Sequence, residues 1–374
     1  MLPEFPRLNG PLGELVDAIT HDIPYEHKAL AAITYMGLAL SGRTQLAPPY
    51  ERLQTRFYSC FIGPPGSGKS AAQNEVVRAL NGLGGISVER SINSDPALVV
   101  ALDENRRLLY VPDEITGAFK KAQHGKMFDA FKTLYEDNRI SNRVKKEVTV
   151  VTDCHFSIIG TCTREAFGRM WAGTGGSSDG LQSRFVLSFS EKLMPRIKTE
   201  NSAHLSLAIE VLKSSLENLP PVIELPETVG SFTFGLTGDG KHLDPKYSRV
   251  VDMGRRFALV VAACNGLERI DDETMELAKA FINYQVASYE PLMPPDAFSH
   301  VQEFENRLIA FFKKHQPASF RDARNNIKPD KLPTGFLTFT SAFNSLVKAG
   351  MLLPSGDSNR VGTVRYKLDP TYKN

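Results

Sequence analysis

The eight residues 63–70 read GPPGSGKS, and no other stretch constrains the fold of this chain as tightly. The spacing is G-x-x-x-x-G-K-S, with Gly63, Gly68, Lys69 and Ser70 at the fixed places and Pro64, Pro65, Gly66 and Ser67 between them. Glycines let successive backbone N–H groups turn inward on phosphate oxygens, and the positive end of the following helix adds to the field. In such a P-loop the Lys69 ammonium neutralises the outer phosphates of a nucleoside triphosphate, Ser70 offers its hydroxyl to Mg2+, and Ala71 extends the binding surface into the helix. The loop needs a strand before it and a helix after it. Residues 57–62 (FYSCFI) are a short apolar run ending at Gly63, and a helix is expected from Lys69 to about Leu80. ATP is the expected ligand.

A second half of the site is written downstream. Residues 108–111 (LLYV) form an apolar strand leading through Pro112 to the adjacent carboxylates Asp113 and Glu114, a Walker B pattern. At a strand's carboxyl end Asp113 can hold Mg2+ through water while Glu114 orients and deprotonates the attacking water, so the pair points to hydrolysis. The same two residues also suit the start of a helix. Pro112 cannot donate a ladder hydrogen bond, which requires sheet pairing to end before it. Beyond the next strand, 155–160 (HFSIIG), Thr163 is the first choice and Thr161 the second for sensing the terminal phosphate or its water. Arg184, in 180–185 (GLQSRF), reads as an arginine finger or as an ordinary surface arginine.

The alternation of strands and helices predicts an α/β fold with a doubly wound P-loop core. Two helices are expected before it, from the apolar spacing over residues 11–40. The expected division is an N-terminal helical segment over 1–50, an ATPase core over 51–240, a helical lid over 241–295 and a small domain over 299–374. Residues 172–180 (AGTGGSSDG) have linker composition and read as a mobile loop. With 374 residues, 42% of them hydrophobic, the chain can bury a large core. Its net charge of +2 gives no global pull toward nucleic acid, so any such contact must come from local patches. Cys60, Cys154, Cys162 and Cys264 lie far apart in sequence and read as reduced core thiols. No apolar run approaches the roughly 18–20 residues of a membrane span, so a soluble, cytoplasmic protein is expected.

The order of P-loop, Asp-Glu strand, basic insert, sensor strand and Ser-Arg-Phe resembles the minichromosome maintenance type of AAA+ hexameric helicase. More closely, residues 5–15 (FPRLNGPLGEL), 134–137 (LYED), 156–160 (FSIIG) and 180–185 (GLQSRF) are similar to a phage and mobile-element helicase family whose ATPase often accompanies primases. The similarity covers roughly residues 5–290. It implies that Arg184 acts on the ATP of a neighbouring subunit in a hexamer or other ring, that a separate primase or replication protein is a partner, and that Arg256, with Arg255 as competitor, is a lid arginine on the γ-phosphate. Two other readings remain open: an ATP-switched DNA-binding initiator or regulator, and a signalling or defence ATPase that remodels protein.

The insert over 139–147 gathers Arg139, Arg143, Lys145 and Lys146, with a turn at 141–142 or 144–145. By the same resemblance it is a hairpin that projects into the ring channel and holds single-stranded DNA by its backbone; its other reading is a solvated basic edge strand. At the C-terminus, helices over 301–314, 320–327 and 339–349 and strands near 351 and 364–368 fit a winged helix. Residues 340–348 are its expected recognition helix and 355–360 its wing, with Arg321, Arg324, Lys328, Lys331 and Arg360 as phosphate contacts and Asn344 as a base reader. Winged helices also serve as protein-interaction modules.

Overall fold

The protein was analysed as a computed structural model that describes residues 2–19, 22–122, 127–144, 147–172, 181–194, 202–227, 249–292, 300–329, 335–348, 351–355 and 364–369. Contacts divide the chain into two compact units. The first comprises Met1–Met170 and Asp179–Met293; the second comprises Pro294–Asn374 together with Trp171–Ser178.

The first unit begins with helices α1 (Gly10–Ala18) and α2 (Tyr25–Leu40) and strands β1 (Gln45–Leu46) and β2 (Tyr58–Ile62). Next come α3 (Lys69–Ala79), β3 (Ser87–Glu89), α4 (Asp95–Glu104), β4 (Arg107–Tyr110), α5 (Ile115–Ala122) and α6 (Met127–Glu136). A hairpin, β5 (Arg139–Val144) and β6 (Glu147–Thr152), precedes β7 (His155–Cys162), α7 (Arg164–Ala172) and β8 (Phe185–Phe189). The unit closes with α8 (Ser202–Glu217), β9 (Val222–Ile223), α9 (Val250–Cys264) and α10 (Asp272–Leu292).

Five of these strands form one parallel sheet in the order β3-β4-β7-β2-β8. The strand before the glycine loop, β2, is thus interior, and its two neighbours, β7 and β8, come from later in the chain. Side chains alternate across β2 because successive residues of a strand face opposite ways. Tyr58 meets Phe131 and Tyr135 of α6 on one face, while Ser59 and Phe61 meet Thr34 and His27 of α2 on the other. The first face is a stack of aromatics in which Phe131 and Phe156 lie parallel with ring centroids 5.5 Å apart.

Helix α2 is buried along nearly its whole length, from His27 to Leu40. A helix apolar all round belongs inside a core, and each large side chain so buried contributes about 1.5–3 kcal/mol. It packs with residues of α1, α9 and α10 in one continuous hydrophobic cluster. For this reason the expected boundaries near residues 50 and 240 do not separate compact bodies: N-terminal helices, sheet and lid helices share one core. Helices α7 and α8 lie where the sequence was not read as helical, and α5 follows the acidic pair that suited a helix start.

The second unit runs α11 (His300–Lys314), β10 (Ala318–Ser319), α12 (Phe320–Ile327), α13 (Gly335–Lys348), β11 (Leu352–Ser355) and β12 (Arg365–Leu368), close to the expected helices and strands. Its antiparallel sheet has the order β10-β12-β11. Phe304, Leu308, Phe312, Phe339, Phe343 and Leu346 are among the residues of its own core. A capping box starts α12: the Ser319 hydroxyl accepts from the Asp322 N–H, and the Asp322 carboxylate accepts from Ser319. Those hydrogen bonds hold the Asp322 carboxyl below the usual carboxylate range.

Candidate nucleotide-binding site

Three segments meet at the carboxyl edge of the sheet, because β4, β7 and β2 are parallel neighbours. The glycine loop leaves β2, the threonine pair leaves β7, and Asp113-Glu114 leave β4. Ligands of open α/β sheets bind in the crevice at this edge.

The loop's glycines are required sterically. A Cβ on Gly63 would stand 2.4 Å from the Ser190 carbonyl oxygen and 2.5 Å from Ser67 Oγ. Gly68 has φ +80°, caps α3, and leaves no room for a side chain against Met194 and Pro24. Lys69 Nζ donates to the carbonyl oxygens of Gly63 and Pro64, each at 2.7 Å, and to Ser67 Oγ at 3.3 Å. The loop thus curls around its own lysine, and burial holds that ammonium below the usual lysine range. Ser70 is exposed in the first turn of α3. Under the loop, His27 stacks on Phe61 and shares a 2.7 Å hydrogen bond with Ser188 Oγ. Burial, and next the Lys69 charge, push the His27 pKa down to about 3, so a neutral imidazole lies beneath the lysine.

Strand β4 ends at Tyr110, and the Val111 N–H makes the last ladder bond, to Glu89 at 2.7 Å. Pairing therefore stops before Pro112, as its missing N–H demands. The Asp113 side chain is 94% exposed and lies 3.7 Å from Arg90. Glu114 is also exposed, and its carboxylate accepts from the Thr116 hydroxyl at 2.5 Å while its carbonyl accepts from Ala118 in the first turn of α5. Both readings of the acidic pair, edge carboxylates and helix start, coexist.

The two threonines separate by role. Thr161 is buried and donates to the Asp113 carbonyl at 3.0 Å, tying β7 to the acidic turn. Thr163 caps α7, its hydroxyl accepting from the Ala166 N–H at 3.2 Å. A residue absent from the sequence reading also holds this edge. Gln73, one turn beyond Lys69 and fully buried, donates to the carbonyls of Ile159 at 2.7 Å and Pro112 at 3.4 Å. The spacing from Lys69 to Gln73 was the available signal, since residues four apart share a helix face. Replacing Gln73 with Leu leaves two buried carbonyls without that donor and is expected to lower stability by about 1–3 kcal/mol in urea denaturation.

No protein-family model and no curated protein matches this chain. The site therefore rests on its own geometry.

Arg184 and Arg256 lie elsewhere. Arg184 directly precedes β8, and Arg256 Nη1 donates at 2.8 Å to the carbonyl of Arg56, just before β2. Both mark the amino edge of the sheet, opposite the glycine loop. From Arg56 to Gly63 the chain spans about 23 Å at roughly 3.3 Å per strand residue. Arg256 is buried there and its guanidinium lies 4.1 Å over the Tyr135 ring, at the edge of the sheet away from the chain's own glycine loop. Arg255 pairs with Asp252 at 3.0 Å and covers Tyr50. Arg184 is not an ordinary surface arginine, for its side chain is only 10% exposed.

The insert is a hairpin. Its antiparallel register pairs Arg139 with Thr152 and Val144 with Glu147. A turn at Ser141-Asn142 is excluded, because both residues pair within β5. Lys145 and Lys146 themselves, like Lys331 and Arg360, fall outside the described residues, as do 173–180 of the expected mobile loop. The side chain of Arg143 is likewise not described. In the second unit Arg321 and Lys328 are exposed and Arg324 half-buried on or beside α12, and Asn344 is exposed on α13. Cys60 and Cys162, distant in sequence, come together with Sγ atoms 3.4 Å apart beneath the loop. Among the described residues no helix is long and apolar enough to cross a membrane, and no group of three or more His, Cys, Asp or Glu is placed to hold a metal.

Proposed function

We propose that the chain is an ATP-hydrolysing DNA translocase or helicase of the AAA+ type, working as a ring of identical subunits. The observation that carries the reading is the convergence of Lys69, Thr161 and Asp113-Glu114 on one edge through the strand order β4-β7-β2. A cavity of about 1120 Å3, lined in part by Ile23, Pro24, Ser190, Met194 and Tyr284, adjoins the loop and has room for a base and ribose.

The groups present fit the ligand. The Lys69 ammonium is already bonded to three oxygens, which phosphate oxygens replace in kind. Ser70 and Asp113 offer hydroxyl and carboxylate oxygen, the hard donors that suit Mg2+. Bound there, Mg2+ would neutralise phosphate charge. The chain's own work is then separate: the loop N–H groups orient the phosphates, Thr161 fixes the acidic turn, and Glu114 accepts the proton of the attacking water.

The DNA part of the reading is supported by the hairpin, whose strand β5 carries Arg139 and Arg143, with Lys145 and Lys146 following in sequence. The second unit, with its helix-strand-helix-helix-strand-strand order, supports a winged-helix module. Single-stranded DNA is expected to stimulate ATP hydrolysis, and reversing the charges of Arg143, Lys145 and Lys146 to abolish the stimulation while leaving the basal rate. Stimulation that survives the reversal would move the reading to a protein-remodelling ATPase.

A further inference from the structure

Two segments flank the glycine loop and line the cavity beside it: residues 22–24, which lead into α2, and residues 190–194, which follow β8. Both touch the loop. A Cβ on Gly68 would stand 2.9 Å from Pro24 Cδ and 2.3 Å from Met194 Sδ, and one on Gly63 would stand 2.4 Å from the Ser190 carbonyl oxygen. The Met194 N–H donates to the Gly66 carbonyl at 3.0 Å, and the Ser190 N–H to that of Ile62 at 3.0 Å. The cavity thus opens directly beside the loop, and Asp22 stands no more than about 7 Å of chain from the Pro24 contact.

Several polar groups of the wall are already engaged. The Tyr25 hydroxyl accepts from the Leu8 N–H at 2.7 Å, the Tyr284 hydroxyl accepts from the Phe189 N–H at 2.9 Å, and Lys28 Nζ donates to the Ile19 carbonyl at 2.7 Å. Arg7 lies 3.9 Å over the Tyr25 ring and pairs with Asp17 at 3.6 Å. Two groups differ. Asp22 Oδ2 and Ser190 Oγ are buried atoms without a hydrogen-bond partner among the described residues, and Ser190 as a whole is only 4% exposed. A polar atom buried unpaired is unfavourable, and a ligand that pairs it removes that cost.

The two atoms suit different groups, since a carboxylate oxygen accepts whereas a hydroxyl can also donate. A single acceptor fits a single amino group, and adenine presents one, at N6. Guanine presents N1–H and N2–H side by side, which call for both oxygens of a carboxylate, and uracil sets its one N–H between two carbonyls that would repel it. We infer that Asp22 is the residue that selects the base: its Oδ2 accepts from the exocyclic amino group of adenine, while the Ser190 hydroxyl, against the start of the loop, bonds a ribose oxygen whatever the base. The inference deepens the reading of the glycine loop as a triphosphate site and rests on it.

The test compares ATP with inosine triphosphate, whose base carries an oxygen where adenine has its amino group. By calorimetry on the full-length chain with Mg2+, ATP is expected to bind about 10–100 times more tightly than inosine triphosphate. Asp22→Asn keeps the size of the side chain, and its amide can turn either N–H or C=O to the base, so that ratio is expected to fall to within about threefold. The ratio is read within each variant, which removes any difference in folded fraction. Ser190→Ala is expected to weaken both nucleotides alike, by about threefold to tenfold, and to leave the ratio as in the wild type. Equal affinity for the two nucleotides in the wild type, or a ratio unchanged by Asp22→Asn, overturns the inference, as does GTP or CTP binding as tightly as ATP. A wild-type chain that binds none of these triphosphates sinks the reading of the loop instead. Adenosine and inosine, which need no phosphate site, then decide on Asp22 by saturation-transfer NMR: an adenosine preference that Asp22→Asn removes supports it, and no preference overturns it.

Discussion

Glu114→Gln is expected to bind ATP as the wild type does and to hydrolyse it about 10²–10⁴ times more slowly. The amide has the shape of the carboxylate but cannot accept a proton from water. Glu114 is exposed at the edge of the sheet, outside the buried core, and its carboxylate accepts from the Thr116 hydroxyl. The substitution therefore removes a base without opening a cavity. Lys69→Ala should behave in the opposite way, losing binding itself, because Lys69 is the cation at the centre of the loop. Phosphate release under saturating ATP, with equilibrium dialysis of ATP on the same samples, separates the two. Hydrolysis in Glu114→Gln within a few-fold of wild type would remove Glu114 from the proton transfer and leave Asp113 to be tried.

The loop and the acidic strand were legible because their chemistry is local. Gly63 to Ser70 and Leu108 to Glu114 are contiguous runs in which φ angles, missing N–H groups and side-chain charge are set by neighbours in sequence. Pro112 even announced where pairing must stop, and β4 stops there. The amino-edge cluster was not legible, because Arg56, Glu136, Arg184 and Arg256 are brought together only by the pairing of β2 with β7 and β8 and by the docking of α9. No spacing rule joins residues so distant. The same holds for Cys60 and Cys162, which look isolated in sequence and are neighbours across the β2–β7 ladder. The hairpin lies between these cases: its basic content was readable, but the turn was ambiguous because Ser-Asn and the Val-Lys step both suit a reversal, and only the long-range register of β5 on β6 chose.

Arg184→Ala is expected to slow hydrolysis about 10³–10⁵-fold while ATP still binds, and the loss is expected to be rescued by a second inactive chain. Arg184 precedes the five residues of β8 at one edge, and the phosphate loop follows the paired strand β2 at the other. The gap of about 17 Å along five strand residues exceeds the reach of an arginine side chain, so the chain's own nucleotide is out of range. Mixed with Lys69→Ala, which has an intact Arg184 but an empty-handed loop, Arg184→Ala subunits supply working loops, and activity reappears at their shared interfaces. Arg184→Lys separates charge from shape: it keeps the cation but loses the planar fork, and should recover little activity if paired donors on a phosphate are needed. Because Arg184 is packed against Tyr135 and Glu136, its removal also has a structural cost, and urea denaturation of each variant must accompany the rates. Full stability with no rescue in the mixture would confine Arg184 to its own subunit and take the ring reading with it; rescue would place half of each hydrolysis site on the neighbouring chain.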